Sequence, residues 1–239
     1  MSRLTAWWRA HARQVAWAVG AIVLASSPWW ARAVASRLSY FRLRQVEIVG
    51  LRYASPDVVR LRLRPDTTMS VWDDLDEMER RIMGHVQIRD VTVRRRLPST
   101  IVVTVDENEP VALVADSAAL RAYDGAGRRL PIDPSVTPVD APVIWQRDTT
   151  LLRLLADLRV RVPRLYARLS DARRLGDGGG ERRDELLFHF AGLRVRCMVD
   201  VTPERLAEIF PVEADLARRG ARAAELDLRF RDQVIARLQ

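Results

Sequence analysis

The sequence predicts an α+β protein: an N-terminal transmembrane helix, then a small β-α-α-β-β unit, then a larger mixed β domain with helices. Three observations predict it. An uncharged apolar stretch lies near the start of the chain, apolar residues then switch between helical spacing and strict alternation as far as residue 115, and hairpin, helix and strand patterns follow from there to residue 239. With 239 residues and a 48% hydrophobic fraction the chain has enough apolar content for folded cores.

The net charge of +8 is concentrated at one end. Residues 1–44 hold seven arginines and no acid, leaving 32 Arg against 31 acids in residues 45–239. A nucleic-acid-binding body needs a concentrated basic face to neutralise phosphates, whereas arginines on both sides of an apolar stretch suit a membrane anchor. All 39 basic residues are Arg, so Schiff-base and P-loop lysine chemistry are excluded. Cys197, the sole cysteine, has no partner for an internal disulfide.

Between Arg13 and Arg32 lie 18 uncharged residues. As helix they reach about 27 Å, close to the roughly 30 Å of a hydrocarbon core. Trp7, Trp8 and Trp17 on one side and Trp29 and Trp30 on the other suit interfacial belts. The expected organisation is a cytoplasmic tail at 1–13, a transmembrane helix at 14–36, and the folded bulk outside the cytoplasmic membrane. The rival reading is a cleaved signal peptide, since Ala33-Val34-Ala35 resembles a small-residue cleavage site.

The first folded unit is expected at 42–115. Val46 and Ile48 alternate with Glu47 in a strand ending at Gly50. Ser55-Pro56-Asp57 supplies an N-cap, a Pro at the first helical position and a first-turn acid, and Pro65 stops that helix. Trp72, Leu75, Met78 or Glu79, and Ile82 recur at helical spacing, acids first and arginines last, which complements the macrodipole. Ile88, Val91 and Val93 begin a strand, Leu97-Pro98-Ser99 turns, and Ile101, Val103 and Val105 alternate in another. Arg94, Arg95 and Arg96 are either a solvated strand end or a docking surface. Trp72 and Trp145 read as core or half-buried anchors.

The second unit is expected at 116–239. Leu120–Tyr123 enters a turn at Gly125 and Gly127 and returns through Arg129 and Leu130. A Pro-rich loop, a short strand at Val143-Ile144-Trp145 and a leucine-faced helix from Leu151 to Leu158 follow. The Gly176–Gly180 loop lacks a following Lys and reads as a connection, not a phosphate cradle. Leu193, Val195 and Cys197 alternate, which puts Cys197 in a core. Thr202-Pro203 opens a helix with a kink or break at Pro211, and two strands around Leu226 and Ile235 end the chain, the last near a sheet edge.

The stretch from Val91 to Val105, with Glu107, Pro110, Val111 and Ala112 after it, resembles a POTRA domain. Placed just beyond a single span, it is similar to the FtsQ/DivIB family of bacterial division proteins. Phe210-Pro211 matches an aromatic-Pro pair of that family, and Leu226-Asp227-Leu228-Arg229-Phe230 is similar to its terminal Val-Asp-Leu-Arg-Tyr. The resemblance implies a divisome scaffold that binds FtsB-like and FtsL-like partners, with FtsB adding a strand to the terminal edge. It implies a binding surface of Leu228, Arg229, Phe230 and Val234, with Arg229 pairing a partner carboxylate, and Arg173 or Arg174 as a second contact. Phe230 lacks the usual Tyr hydroxyl, and the turn after it lacks the common Gly. The alternatives are another POTRA-bearing transport or chaperone component and an envelope protein released by signal cleavage.

No catalytic residues, metal ligands, cofactor or small-molecule substrate are expected: His11, His85 and His189 stand in separate contexts, without a His pair at i,i+4 or a Gly-x-Ser-x-Gly elbow.

Overall fold

The computed structural model describes residues 16–26, 34–35, 38–65, 69–116, 119–176 and 184–239. Residues 16–26 are helical (α1), with Trp17, Ile22 and Leu24 exposed. Among the described residues no helix is long and apolar enough to cross a membrane. The expected tail at 1–13 and the far end of the expected span, with Trp29 and Trp30, lie outside the described residues.

The chain divides into two compact units between Asp106 and Glu107. In the first, β1 (Gln45–Val49) leads to α2 (Pro56–Leu63) and α3 (Leu75–Met83), then β2 (Ile88–Arg96) and β3 (Thr100–Glu107). The strand order is β1-β3-β2, with β1 parallel to β3. Local chemistry sets the boundaries. The Ser55 hydroxyl accepts from the Asp57 amide at the head of α2, and Arg64 closes it with φ 48°, just before Pro65. Helix α3 begins after Asp74, whose carboxylate accepts from the Asp76 amide, so Trp72 precedes the helix instead of sharing its face. Gly50 ends β1 at φ +91°, where a Cβ would stand 2.1 Å from the Val105 carbonyl oxygen, so that only glycine fits.

The core of this unit is Val59 and Leu63 of α2, Met78 and Ile82 of α3, and the inward residues of β2 and β3. Glu79, the other candidate for the helix face, instead reaches the sheet rim, where its carboxylate accepts the Val93 amide at 2.6 Å. The basic run is not a uniform surface. Arg95 donates to the carbonyls of Val71 and Asp73 and lies over the Trp72 ring, and Arg96 pairs with Glu47.

The second unit is an eight-stranded sheet in the order β11-β10-β9-β8-β7-β6-β4-β5. Its strands are β4 (Ala112–Ala115), β5 (Leu120–Tyr123), β6 (Val143–Ile144), β7 (Leu169–Leu175), β8 (Glu185–Phe190), β9 (Leu193–Met198), β10 (Ala223–Asp227) and β11 (Ile235–Leu238). Because β4 pairs with β5 and β6, residues 107–115 belong to this unit and the division falls earlier than the expected boundary at 115. The expected return at Arg129 is a single bridge to Tyr123, and β5 finds its main partner in β4.

One face of the sheet packs on helices. Leu186, Phe188, Val195, Cys197 and Leu226 form a continuous core with Leu151, Leu152, Leu155 and Leu158 of α4 (Thr149–Arg161). Helix α5 (Pro163–Tyr166) follows. The Thr202-Pro203 helix is divided into α6 (Pro203–Ala207) and α7 (Ile209–Arg218) at Glu208. Pro211 therefore falls in the first turn of α7, where its missing N–H costs nothing. Phe210 packs on the core with the guanidiniums of Arg164 and Arg168 over its ring.

Candidate functional site

Strand β11 is the outermost strand of the large sheet, and among the described residues β10 is its one sheet neighbour. The two run antiparallel, with Leu226 opposite Ala236 and Asp227 opposite Ile235, and a bulge lies between Ala223 and Glu225. Beside this edge Phe230 is 46%, Ile235 50% and Leu238 53% exposed. A strand edge offers main-chain donors and acceptors to a second chain, and apolar side chains along it add area to be buried.

Between the strands the chain is fixed from below and from the side. Strand β10 stops at Asp227, but the Leu228 amide still donates to the Arg196 carbonyl at 2.8 Å, and the Leu228 side chain is buried at 4% exposure. The terminal motif implied Leu228 as a partner contact; its side chain is instead buried in the core, where it anchors the edge. Val234 is half-buried against the same core. The turn after Phe230 lacks a glycine, and Arg205 of α6 holds it instead, donating to the carbonyls of Phe230 and Gln233.

Arg229, expected to pair with a partner carboxylate, has its guanidinium engaged within the chain. It donates from Nη1 to Glu185 Oε1 at 2.8 Å, from Nη2 to Asp227 Oδ2 at 2.6 Å and from Nε to Asp227 Oδ1 at 2.9 Å. Arg196 meets the other oxygen of Glu185 at 2.8 Å. Burial would raise the Glu185 carboxyl, but hydrogen bonds and charge from Arg196 and Arg229 outweigh it and hold the group below its ordinary range. The same opposition, with Arg229 as the hydrogen-bonding partner, lowers Asp227. Hydrogen bonding to Asp227 leads the causes that raise Arg229.

Strand pairing separates the two remaining candidates. Arg173 lies opposite Leu187, so it shares the charged sheet face with Asp171 and Glu185 and is exposed. Arg174 points to the helical face, where it meets Asp148, the cap of α4, at 2.6 Å. Burial works to raise Asp148, and Arg174 with the amides of Leu151 and Thr150 lowers it. Both arginines line a cleft of about 520 Å³ with Trp145, which is 59% exposed and not the half-buried anchor expected. This cleft opens beside β6 and β7, away from β11.

Sequence reasoning missed Glu185 and Arg205, whose contacts at this edge, with Arg229, Phe230 and Gln233, span 44, 25 and 28 residues of chain. It also missed the cross-strand pair of His189 Nδ1 and Asp171 Oδ1 at 2.8 Å. Among the described residues no three His, Cys, Asp or Glu side chains converge on a metal position.

Comparison with known proteins places this architecture. Residues 41–108, from just ahead of β1 through β3, match the POTRA domain, FtsQ-type. The cell division protein FtsQ of Myxococcus fulvus is 31% identical over 200 residues, covering 78% of this chain and 68% of that protein. The chain belongs to the FtsQ/DivIB family. FtsQ of Rhodothermus marinus is 31% identical over 112 residues, covering 45% of this chain and 40% of that one. The major extracytoplasmic domain of the division protein DivIB from Geobacillus stearothermophilus matches with 18% identity and a TM-score of 0.35, over 47% of this chain and 97% of that one. As an FtsQ-family cell division protein, the chain is set apart from POTRA-bearing transport components.

Proposed function

We propose that this FtsQ-family protein is a non-catalytic, membrane-anchored divisome scaffold that receives an extended segment of an FtsB-like partner at strand β11. An FtsL-like protein joins the same complex, and the assembly links early and late septum proteins. The observation that carries this reading is the position of β11 at the rim of the large sheet, with Ile235 exposed on it and Phe230 exposed ahead of it. Strand addition there supplies affinity through main-chain hydrogen bonds and selectivity through alternate side chains. Phe230 contributes apolar area without the hydroxyl of a Tyr, and Arg173, exposed on the charged face of the sheet, is the candidate for a second, charged contact. Residues 14–36 anchor the chain in the cytoplasmic membrane, with Arg3, Arg9 and Arg13 retained inside and the two folded units outside.

The test is binding of the full chain, in detergent micelles, to the extracytoplasmic part of the host's FtsB-like protein, with and without Phe230→Asp. Binding lost in the variant while circular dichroism stays unchanged supports the assignment. A wild-type protein that does not bind sinks it.

A further inference from the structure

We infer that Glu185 is a positioning residue for the proposed partner edge: through Arg229 it fixes the chain leaving β10 and so sets where Phe230 stands. The inference rests on the edge-strand reading above and replaces a direct role for Arg229 with an indirect one.

Charge balance argues first. Glu185, Asp227, Arg196 and Arg229 form one hydrogen-bonded cluster on the charged face, two carboxylates against two guanidiniums. Such a group presents no net charge to an incoming carboxylate. Glu185 and Asp227 take three of the five guanidinium N–H groups of Arg229, at 2.6 to 2.9 Å, and Glu185 is only 7% exposed. A partner acid at the two remaining N–H groups would meet a cation already neutralised by two carboxylates and would gain little more than a rim ion pair.

Geometry argues second. Glu185 is on β8, two strands in from β10, so Arg229 reaches across β9 to meet it. The Arg229 amide also donates to Asp227 Oδ1 at 3.1 Å, a local turn that ends the strand. Side chain and backbone of Arg229 are thereby fixed at the point where the chain departs from the sheet. The next residue is Phe230, whose ring centroid lies 6.0 Å from the Arg229 guanidinium and whose carbonyl is held by Arg205. A half-exposed aromatic held on both sides is preorganised, and preorganisation is where affinity is gained without new contacts.

The two roles for Arg229 predict opposite signs. In Glu185→Gln a single carbonyl oxygen replaces the two charged acceptors that now serve Arg196 and Arg229. If Glu185 positions Phe230, affinity for the FtsB-like segment falls roughly tenfold, the scale of one anchoring side chain losing its order. If Arg229 pairs the partner directly, loosening it from Glu185 leaves affinity unchanged or raises it, and the inference is overturned. A merely structural effect is separated by repeating the substitution in an Arg229→Gln background. There Glu185→Gln should cost nothing further; an equal loss in both backgrounds also overturns the inference. Asp227→Asn removes the other carboxylate from the same guanidinium, carries the same expectation, and keeps the question answerable if Glu185→Gln does not fold. Wild-type protein that fails to bind at all contradicts the edge-strand reading instead, a different result from a variant with the wrong sign.

Discussion

Leu228 and Phe230 stand two residues apart with opposite environments, Leu228 at 4% exposure in the core and Phe230 at 46% beside the open edge. Strand alternation alone would give them the same face; β10 ends at Asp227, and the chain turns between them. Their substitutions should therefore separate. Leu228→Ala should lower unfolding stability by about 2–5 kcal/mol, the cost of a large-to-small change in a core. Phe230→Ala should stay within about 1 kcal/mol of wild type, as surface changes do. Denaturant titration of both variants measures this, and equal losses would contradict the assignment of anchor and contact.

The rim of the first unit is guarded by Glu79. Strand β2 is an edge strand, and the Glu79 carboxylate accepts the Val93 amide at 2.6 Å. Glu79→Gln keeps an acceptor and should leave exchange of the Val93 amide slow. Glu79→Leu removes it and should speed that exchange, with a stability loss of about 1–3 kcal/mol for the abandoned donor. Amide exchange read residue by residue distinguishes the two, and identical behaviour of both variants counts against a guarding role.

Glu185, Asp227 and Asp148 have carboxyls lowered by arginine partners against the pull of burial. A carboxyl with a lower value folded than unfolded contributes stability that is full above the unfolded value, about 4, and is lost as pH falls through the folded one. The contribution of these three carboxyls to unfolding free energy should thus be level from neutrality down to about pH 5 and drop below about pH 4. Glu185→Gln should make that drop shallower, and an unchanged acid limb would show that the cluster contributes nothing.

Cys197 is fully buried, and its thiol is pushed far up by burial, aided by the charges of Asp227 and Asp200. Only the thiolate is an effective nucleophile. The native protein at neutral pH should not react with a thiol probe, and denaturant should release one equivalent. Labelling without denaturant would place Cys197 outside the core.

What the sequence made legible was local. Ser55 caps α2 because capping is decided within three residues, and the break before Pro211 follows from a missing N–H. Period-two patterns placed Cys197 and Val195 inward. What the sequence hid depends on strand order. Arg229 meets Glu185 only because β8 and β10 flank β9, and no local pattern records a partner 44 residues away. Arg173 and Arg174 could not be told apart without the register of β7 against β8. Trp145 looked like an anchor by residue type, but the strand ahead of it is two residues long and leaves it exposed at the mouth of a cleft.

The central claim, that a partner adds a strand at β11, is tested most directly by amide exchange of Ile235–Leu238 in the full chain with and without the extracytoplasmic part of the FtsB-like protein. The account predicts new protection at alternate amides of β11, those facing away from β10, and little change in β1 or β2. Tight binding that leaves β11 exchanging as before, with protection appearing elsewhere, would contradict it.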